Sequence, residues 1–192
     1  HLLWRFDMRR LSSEEIRDSM LAANGSLNLK MGGPSFYPII PKEVLAGQSR
    51  PGNGWGKSSP EERARRAVYI FIKRSLIAPM MADFDFADVD STCPVRFVTT
   101  QPTQALGLLN SEYVNRQADI FARFVEGEVG DDPAAQIRLC LTRIAQRRPA
   151  QHEIDRGVTF MNSLKDQNVP ADVALKYFCL LTFNLNEFLY LD

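Results

Sequence analysis

Arg66-Ala67-Val68-Tyr69-Ile70-Phe71-Ile72-Lys73-Arg74-Ser75 is the one run of this chain with the composition of a strand. β-branched and aromatic side chains follow one another from Val68 to Ile72, which suits a pleated, half-buried surface better than a helix face. The run begins just after a helix start, Ser59-Pro60-Glu61-Glu62, so two readings compete. Either the helix continues to Ser75, or a short helix yields to a strand near Ala67. The strand is the better reading. Its natural partner is Val95-Arg96-Phe97-Val98-Thr99, giving one small antiparallel pair that must rest on helices, since two strands alone are marginal in water.

Outward from this run the pattern is helical. Ser12 with Glu15 forms a capping box, Ile16, Met20 and Ala23 share a face, and Asn24-Gly25 closes the turn, predicting a helix over Ser13–Ala23. Between Gly25 and Pro60 the chain is punctuated by Gly32-Gly33-Pro34, Pro38, Pro41, Pro51 and Gly52-Asn53-Gly54, and reads as a long loop. After Pro102, apolar residues at helical spacing predict helices over 104–110, 112–127, a segment capped by Asp132-Pro133, 152–165, and a last one opened by Pro170. Ala174, Tyr177, Phe178, Leu181 and Leu185 make the inward stripe of that last helix. Short connectors predict antiparallel packing of these helices. The expected fold is mainly α: a helical bundle with one small antiparallel β-pair in the middle of the chain. Residues 1–192 form a single domain in three parts: helix and long loop (1–60), β-pair and acidic loop (61–111), helical bundle (112–192).

Charge excludes some functions. Lys plus Arg (23) equals Asp plus Glu (23), so no net field favours nucleic acid. No apolar run approaches the length of a membrane span. The opening His1-Leu2-Leu3-Trp4-Arg5-Phe6 lacks an initiator Met and a signal-peptide pattern, and leads us to expect a C-terminal fragment whose first partner is the rest of its parent polypeptide. Of three cysteines, Cys140 and Cys179 fall in helical apolar patterns and Cys93 in a loop; all are expected as free thiols.

Several motifs occur together in order: Leu-Leu-Trp-Arg-Phe at 2–6, Arg-Leu-Ser-Ser-Glu-Glu-Ile-Arg-Asp-Ser-Met at 10–20, Gly-Gly-Pro-Ser at 32–35, Lys-Arg-Ser-Leu at 73–76, Phe-Asp-Phe-Ala-Asp at 84–88, Ser-Thr-Cys-Pro at 91–94, Thr-Thr-Gln-Pro-Thr-Gln-Ala-Leu at 99–106, Leu-Leu-Asn-Ser at 108–111 and Asn-Glu-Phe-Leu-Tyr at 186–190. In these the chain resembles the C-terminal portion of the domain of unknown function 1553, typical of planctomycete-type bacteria. The resemblance implies an exported, extracytoplasmic (periplasmic or cell-surface) protein associated with a cytochrome c-like module. It implies no reaction and no catalytic residues. Cys-x-x-Cys-His is absent from this chain, so haem would belong to a missing module or a partner.

Asp83, Asp85, Asp88 and Asp90, with Ser91 and Thr92 close by, are the candidate metal ligands: hard cations such as Ca²⁺ take several oxygens from a flexible loop. The spacing is not that of an EF-hand, having no Gly at the sixth position and no Glu at the twelfth. The competing reading is structural, with Asp85 and Asp88 capping turns or pairing with arginines such as Arg96. Arg96, Arg74 and Arg5 are expected to gather over this loop as an ion network. Arg96 and Trp55 are the candidate ligand or partner contacts. Nucleophilic catalysis lacks a convincing base, since the only histidines are His1 and His152 and no Gly-x-Ser-x-Gly is present. Carboxylate pairs for glycoside cleavage could be drawn from Glu14, Glu15, Asp85 and Asp88, but no spacing singles one out.

The leading expectation is an interaction or scaffold module of a larger exported, cytochrome-associated protein, more readily than an enzyme in its own right. The alternative is part of a polysaccharide-directed or redox-linked enzyme whose site is completed by missing segments. Convergence of the Asp83–Asp90 loop, Arg96 and the Gly32–Ser35 turn on one concavity would favour the enzyme.

Overall fold

A computed structural model describes residues 7–191. In chain order the elements are β1 (Arg9–Arg10), α1 (Ser13–Ala23), α2 (Lys42–Ala46), α3 (Pro60–Arg63), a 3₁₀ turn (Ala67–Tyr69), α4 (Pro79–Asp83), α5 (Pro102–Asn110), α6 (Glu112–Val129), α7 (Pro133–Ala145), α8 (Gln151–Lys165), α9 (Ala171–Thr182), α10 (Asn186–Leu189) and β2 (Tyr190–Leu191). The protein is mainly α, and among the described residues it has one two-stranded antiparallel pair.

Local signals in the sequence set most helix ends. The Ser12 hydroxyl accepts from the Glu15 N–H at 3.3 Å while the Ser12 N–H donates to Glu15 Oε2 at 2.8 Å, completing the capping box of α1. Asp132 accepts from the Ala134 N–H to start α7, and Gln146 ends it in the left-handed region at φ 53°.

Helices α6 to α9 form the bundle. α6 packs along α9 and α7, and α8 lies against α7 and α9. Val114, Ala118, Phe121 and Val125 line the buried face of α6, opposite Leu175, Phe178 and Cys179 of α9. Phe121 stacks on Phe183 with ring centres 5.7 Å apart. Cys140 and Cys179 are free thiols in contact at 3.7 Å, and burial pushes the Cys179 thiol well up. The buried face of α9 is rotated from the expected stripe, leaving Tyr177 and Leu181 exposed.

The β-pair lies elsewhere than expected. Its strands are β1 and β2, near the two ends of the chain, with Arg9 opposite Leu191 and Arg10 opposite Tyr190. Residues 67–75 and 95–99 do not pair. The buried members of the first run, Ala67 and Ile70, are three residues apart, the spacing of a 3₁₀ turn and not of a strand, while Val68 is 73% exposed. Ile70 bridges Phe36 in parallel: Phe36 N–H donates to Tyr69 O at 2.9 Å and Phe71 N–H to Phe36 O at 2.8 Å. Phe36, Ala67, Ile70 and Met81 form a small second core. Strand propensity thus lost to the burial offered by the 25–60 loop, because β preference mostly reflects what the side chains pack against. Val95, Phe97 and Val98, without a ladder, are left exposed.

Candidate functional site

Two arginines, Arg17 and Arg65, hold the wall that carries the site. On α1, Ser13, Ile16, Arg17, Met20 and Leu21 are buried on one face. Arg17 Nη1 donates to the Arg65 carbonyl at 2.8 Å and Nη2 to the Arg63 carbonyl, and its guanidinium lies over the Phe36 ring. Arg65 is fully buried. It donates to the carbonyls of Gly32 and Pro34 and to Glu62, and stacks on Tyr69 with its guanidinium carbon 3.9 Å from the ring centre. Gly32 and Gly33 take positive φ of 74° and 82° in that turn. Open space surrounds both glycines, so it is the backbone conformation and not crowding that requires them. The loop expected from its prolines and glycines is therefore clamped onto α1 and the 3₁₀ turn by guanidinium forks.

Between this clamped loop and α4, α5 and α6 lies a cleft of about 820 Å³. Leu21, Phe36, Ile70, Met80, Met81 and Ile120 contribute to its walls, and Ile39 and Val44 stand at its edge, 42% and 37% exposed. A concavity of this size with a predominantly apolar lining has the form of a binding site. Its polar groups are few. Asp83, at the end of α4, lies over α5 so closely that a Cβ at Gly107 would stand 2.8 Å from Asp83 Oδ2. Burial against that helix raises the Asp83 carboxyl above its ordinary range.

Of the residues expected to form a site, Asp83 alone lines this cleft. Asp85, in the left-handed region at φ 57°, ties β1 to the lead of α5. It accepts from Arg10 Nη2 at 2.6 Å and from the Thr99 N–H and hydroxyl, both at 2.9 Å. Burial would raise the Asp85 carboxyl, but these donors prevail and hold it below the usual carboxylate range. Asp88 accepts from the Asp90 N–H and the Ser91 hydroxyl, and Asp90 pairs with Arg74 at 2.7 Å. Among the described residues no group of three or more His, Cys, Asp or Glu is placed to hold one metal ion. Arg96 reaches Glu14 of α1, with Nη1 2.8 Å from each carboxylate oxygen, and lies over Phe86. Arg5 falls outside the described residues. Trp55 is half-buried: its indole N–H donates to Pro38 O at 3.2 Å, and its ring meets the edges of Tyr37 and Phe71 at 5.7 Å. Cys93 is exposed in its loop, and His152 stands at the exposed start of α8.

The sequence reading missed Arg10, Arg17 and Arg65. For Arg17 a signal exists, because it sits four residues after Ser13 and three before Met20, squarely on the buried stripe. Arg65 carries no such signal; its partners are carbonyls of a loop some thirty residues earlier. Gly32–Ser35, Arg96 and the acidic loop do not converge on one concavity; of that set only Asp83 reaches the cleft that forms.

Residues 1–161 match the family model described as PSD1, protein of unknown function (DUF1553). The chain belongs to that family. No curated protein and no solved structure gives a significant match. The part of this PSD1 chain that matches ends within α8, yet α9 beyond it supplies one long side of the bundle core. The three arginines, the glycine turn and the whole cleft lie inside the matched part, and no helix among the described residues is long and apolar enough to cross a membrane.

Proposed function

We propose that this PSD1 chain is a non-catalytic interaction module, and that the cleft between the 25–64 segment and α4–α6 is where it receives a segment of another protein or of its own parent polypeptide. One observation carries the reading: the cleft is predominantly apolar, while Asp85, Asp88, Asp90 and Arg96, which could have served chemistry, are engaged one by one in structural contacts away from it. An apolar groove bordered by short helices takes up a partner by burying side chains, at about 25 cal/mol per Å² removed from water. The setting that goes with this proposal is an exported, extracytoplasmic parent polypeptide of planctomycete-type bacteria that also carries or contacts a cytochrome c-like module.

An apolar, uncharged fluorescent dye, Nile red, tests the cleft. The folded chain should bind it saturably, and Ile39→Asn with Val44→Asn should abolish that binding without lowering the thermal midpoint, since both side chains are substantially exposed. Dye binding that is absent, or that survives the double substitution, would remove the cleft from consideration as a docking surface.

A further inference from the structure

The charges around the cleft are not balanced. Four carboxylates line it, those of Glu43, Glu61, Asp83 and Glu112, with three guanidiniums, those of Arg17, Arg63 and Arg116. Arg116 is paired with Glu112 across one helical turn, and Arg17 is spent on two carbonyls and Asp18. Among the described residues Glu43, Glu61 and Asp83 carry no ion pair, and Arg63 is the one cation left to answer them. They come from three separate elements, α2, α3 and α4, so the negative charge is distributed around the rim and does not sit as a cluster on one loop. The chain as a whole has a formal net charge of +0. The imbalance is local to the cleft.

We infer that the cleft takes an apolar peptide segment flanked by lysine or arginine residues, its apolar side chains entering between Val44, Ile39 and Met80 and its cations meeting Glu43, Glu61 and Asp83. This rests on the reading of the cleft as a docking surface and adds the chemistry of the occupant. An anionic or neutral segment of equal hydrophobicity would bury the same area but would leave the rim carboxylates uncompensated as water is excluded, and it is by such unpaired charge that a docking surface rejects wrong partners. Asp83 contributes to that discrimination: its carboxyl lies close over Gly107 and has no hydrogen-bond donor among the described residues, so a cation delivered by the segment would meet an unpaired charge.

The test uses two labelled amphipathic peptides of about sixteen residues with the same leucine positions, one with lysines and one with glutamates on the polar face. Fluorescence anisotropy is read at low and high ionic strength. The lysine peptide should bind about tenfold more tightly or better, a preference that shrinks with salt. Glu43→Gln, Glu61→Gln and Asp83→Asn together should bring the two peptides to within about twofold of each other. Asp83→Asn alone, which breaks no bond in the fold, should give an intermediate preference and guards against a triple variant that folds poorly. Ile39→Asn with Val44→Asn should abolish binding of the lysine peptide. Equal binding of both peptides, unaltered by the carboxylate substitutions, would overturn the charge inference and leave the docking reading in place. Binding of neither peptide, together with loss of dye binding, would overturn both. Lysine-peptide binding that ignores the Ile39 and Val44 substitutions would show attachment outside the cleft and overturn the inference.

Discussion

Gly157 in α8 faces Ile137 of α7 and Phe178 of α9. A Cβ at this position would stand 2.7 Å from both Ile137 Cδ1 and Cγ2 and 3.0 Å from Phe178 Cε2. Carbon atoms prefer about 3.5–4.0 Å, so three contacts are short by up to about 1 Å. Neither neighbour yields easily: Ile137 is fully buried and Phe178 is 4% exposed, and the β-branched Ile137 is stiff about χ1. Overpacking of this kind costs about 1–3 kcal/mol. Against it stands the helical preference of Ala over Gly, about 1 kcal/mol. With contacts this short the clash should win, making Gly157→Ala destabilising by up to about 2 kcal/mol. Gly127 in α6 supplies the control: it is helical and exposed, and nothing lies within 4 Å of its added Cβ. Gly127→Ala should stabilise by about 0.5–1 kcal/mol. Urea unfolding monitored by circular dichroism, with one shared slope, should separate the two variants by as much as about 3 kcal/mol. A Gly157→Ala protein as stable as Gly127→Ala would refute the close approach of α7, α8 and α9.

Other perturbations probe the clamp, the core and the charges. Arg65→Ala should cost about 3–5 kcal/mol, because it removes charged donors from two carbonyls and the face of Tyr69 and leaves a buried gap; a loss under about 1 kcal/mol in urea unfolding would sink the clamp. Phe178→Ala should cost about 3–5 kcal/mol, checked in the same way. Arg9 holds the Glu15 carboxyl down to about 2 from 4.5, so the stability it lends is complete above 4.5 and is lost as pH falls toward 2. Arg9→Ala should therefore lower the thermal midpoint at neutral pH and match the parent in strong acid; a difference that persists there would show the effect is not this ion pair. Asp83 runs the other way: burial raises its carboxyl, so its ionisation weakens the fold as pH rises, and Asp83→Asn should melt no lower than the parent at neutral pH and lose any advantage in acid. A variant that melts below the parent at neutral pH would mean Asp83 has a stabilising partner.

What this sequence determined by itself is local. The Ser12–Glu15 box, the Asp132-Pro133 start and the apolar periodicity of α6 to α9 act within one or two helical turns, and the helices they specify are present with nearly the expected ends. The chemistry of single turns was legible too: Gly32 and Gly33 do adopt the backbone that glycine alone takes readily. Tertiary structure decided the rest. Whether Val68–Ile72 became a strand depended on what it could be buried against, and Phe36, from a loop thirty residues earlier, supplied that surface. The short pair of Arg9–Arg10 with Tyr190–Leu191 has no compositional signal, since two residues carry no period and their pairing follows from where the bundle places the chain's two ends. The cleft was least legible of all. Its walls are drawn from α1, the long loop and α4 to α6, and its local charge arises from which carboxylates the fold leaves without partners, a quantity that residue order does not contain.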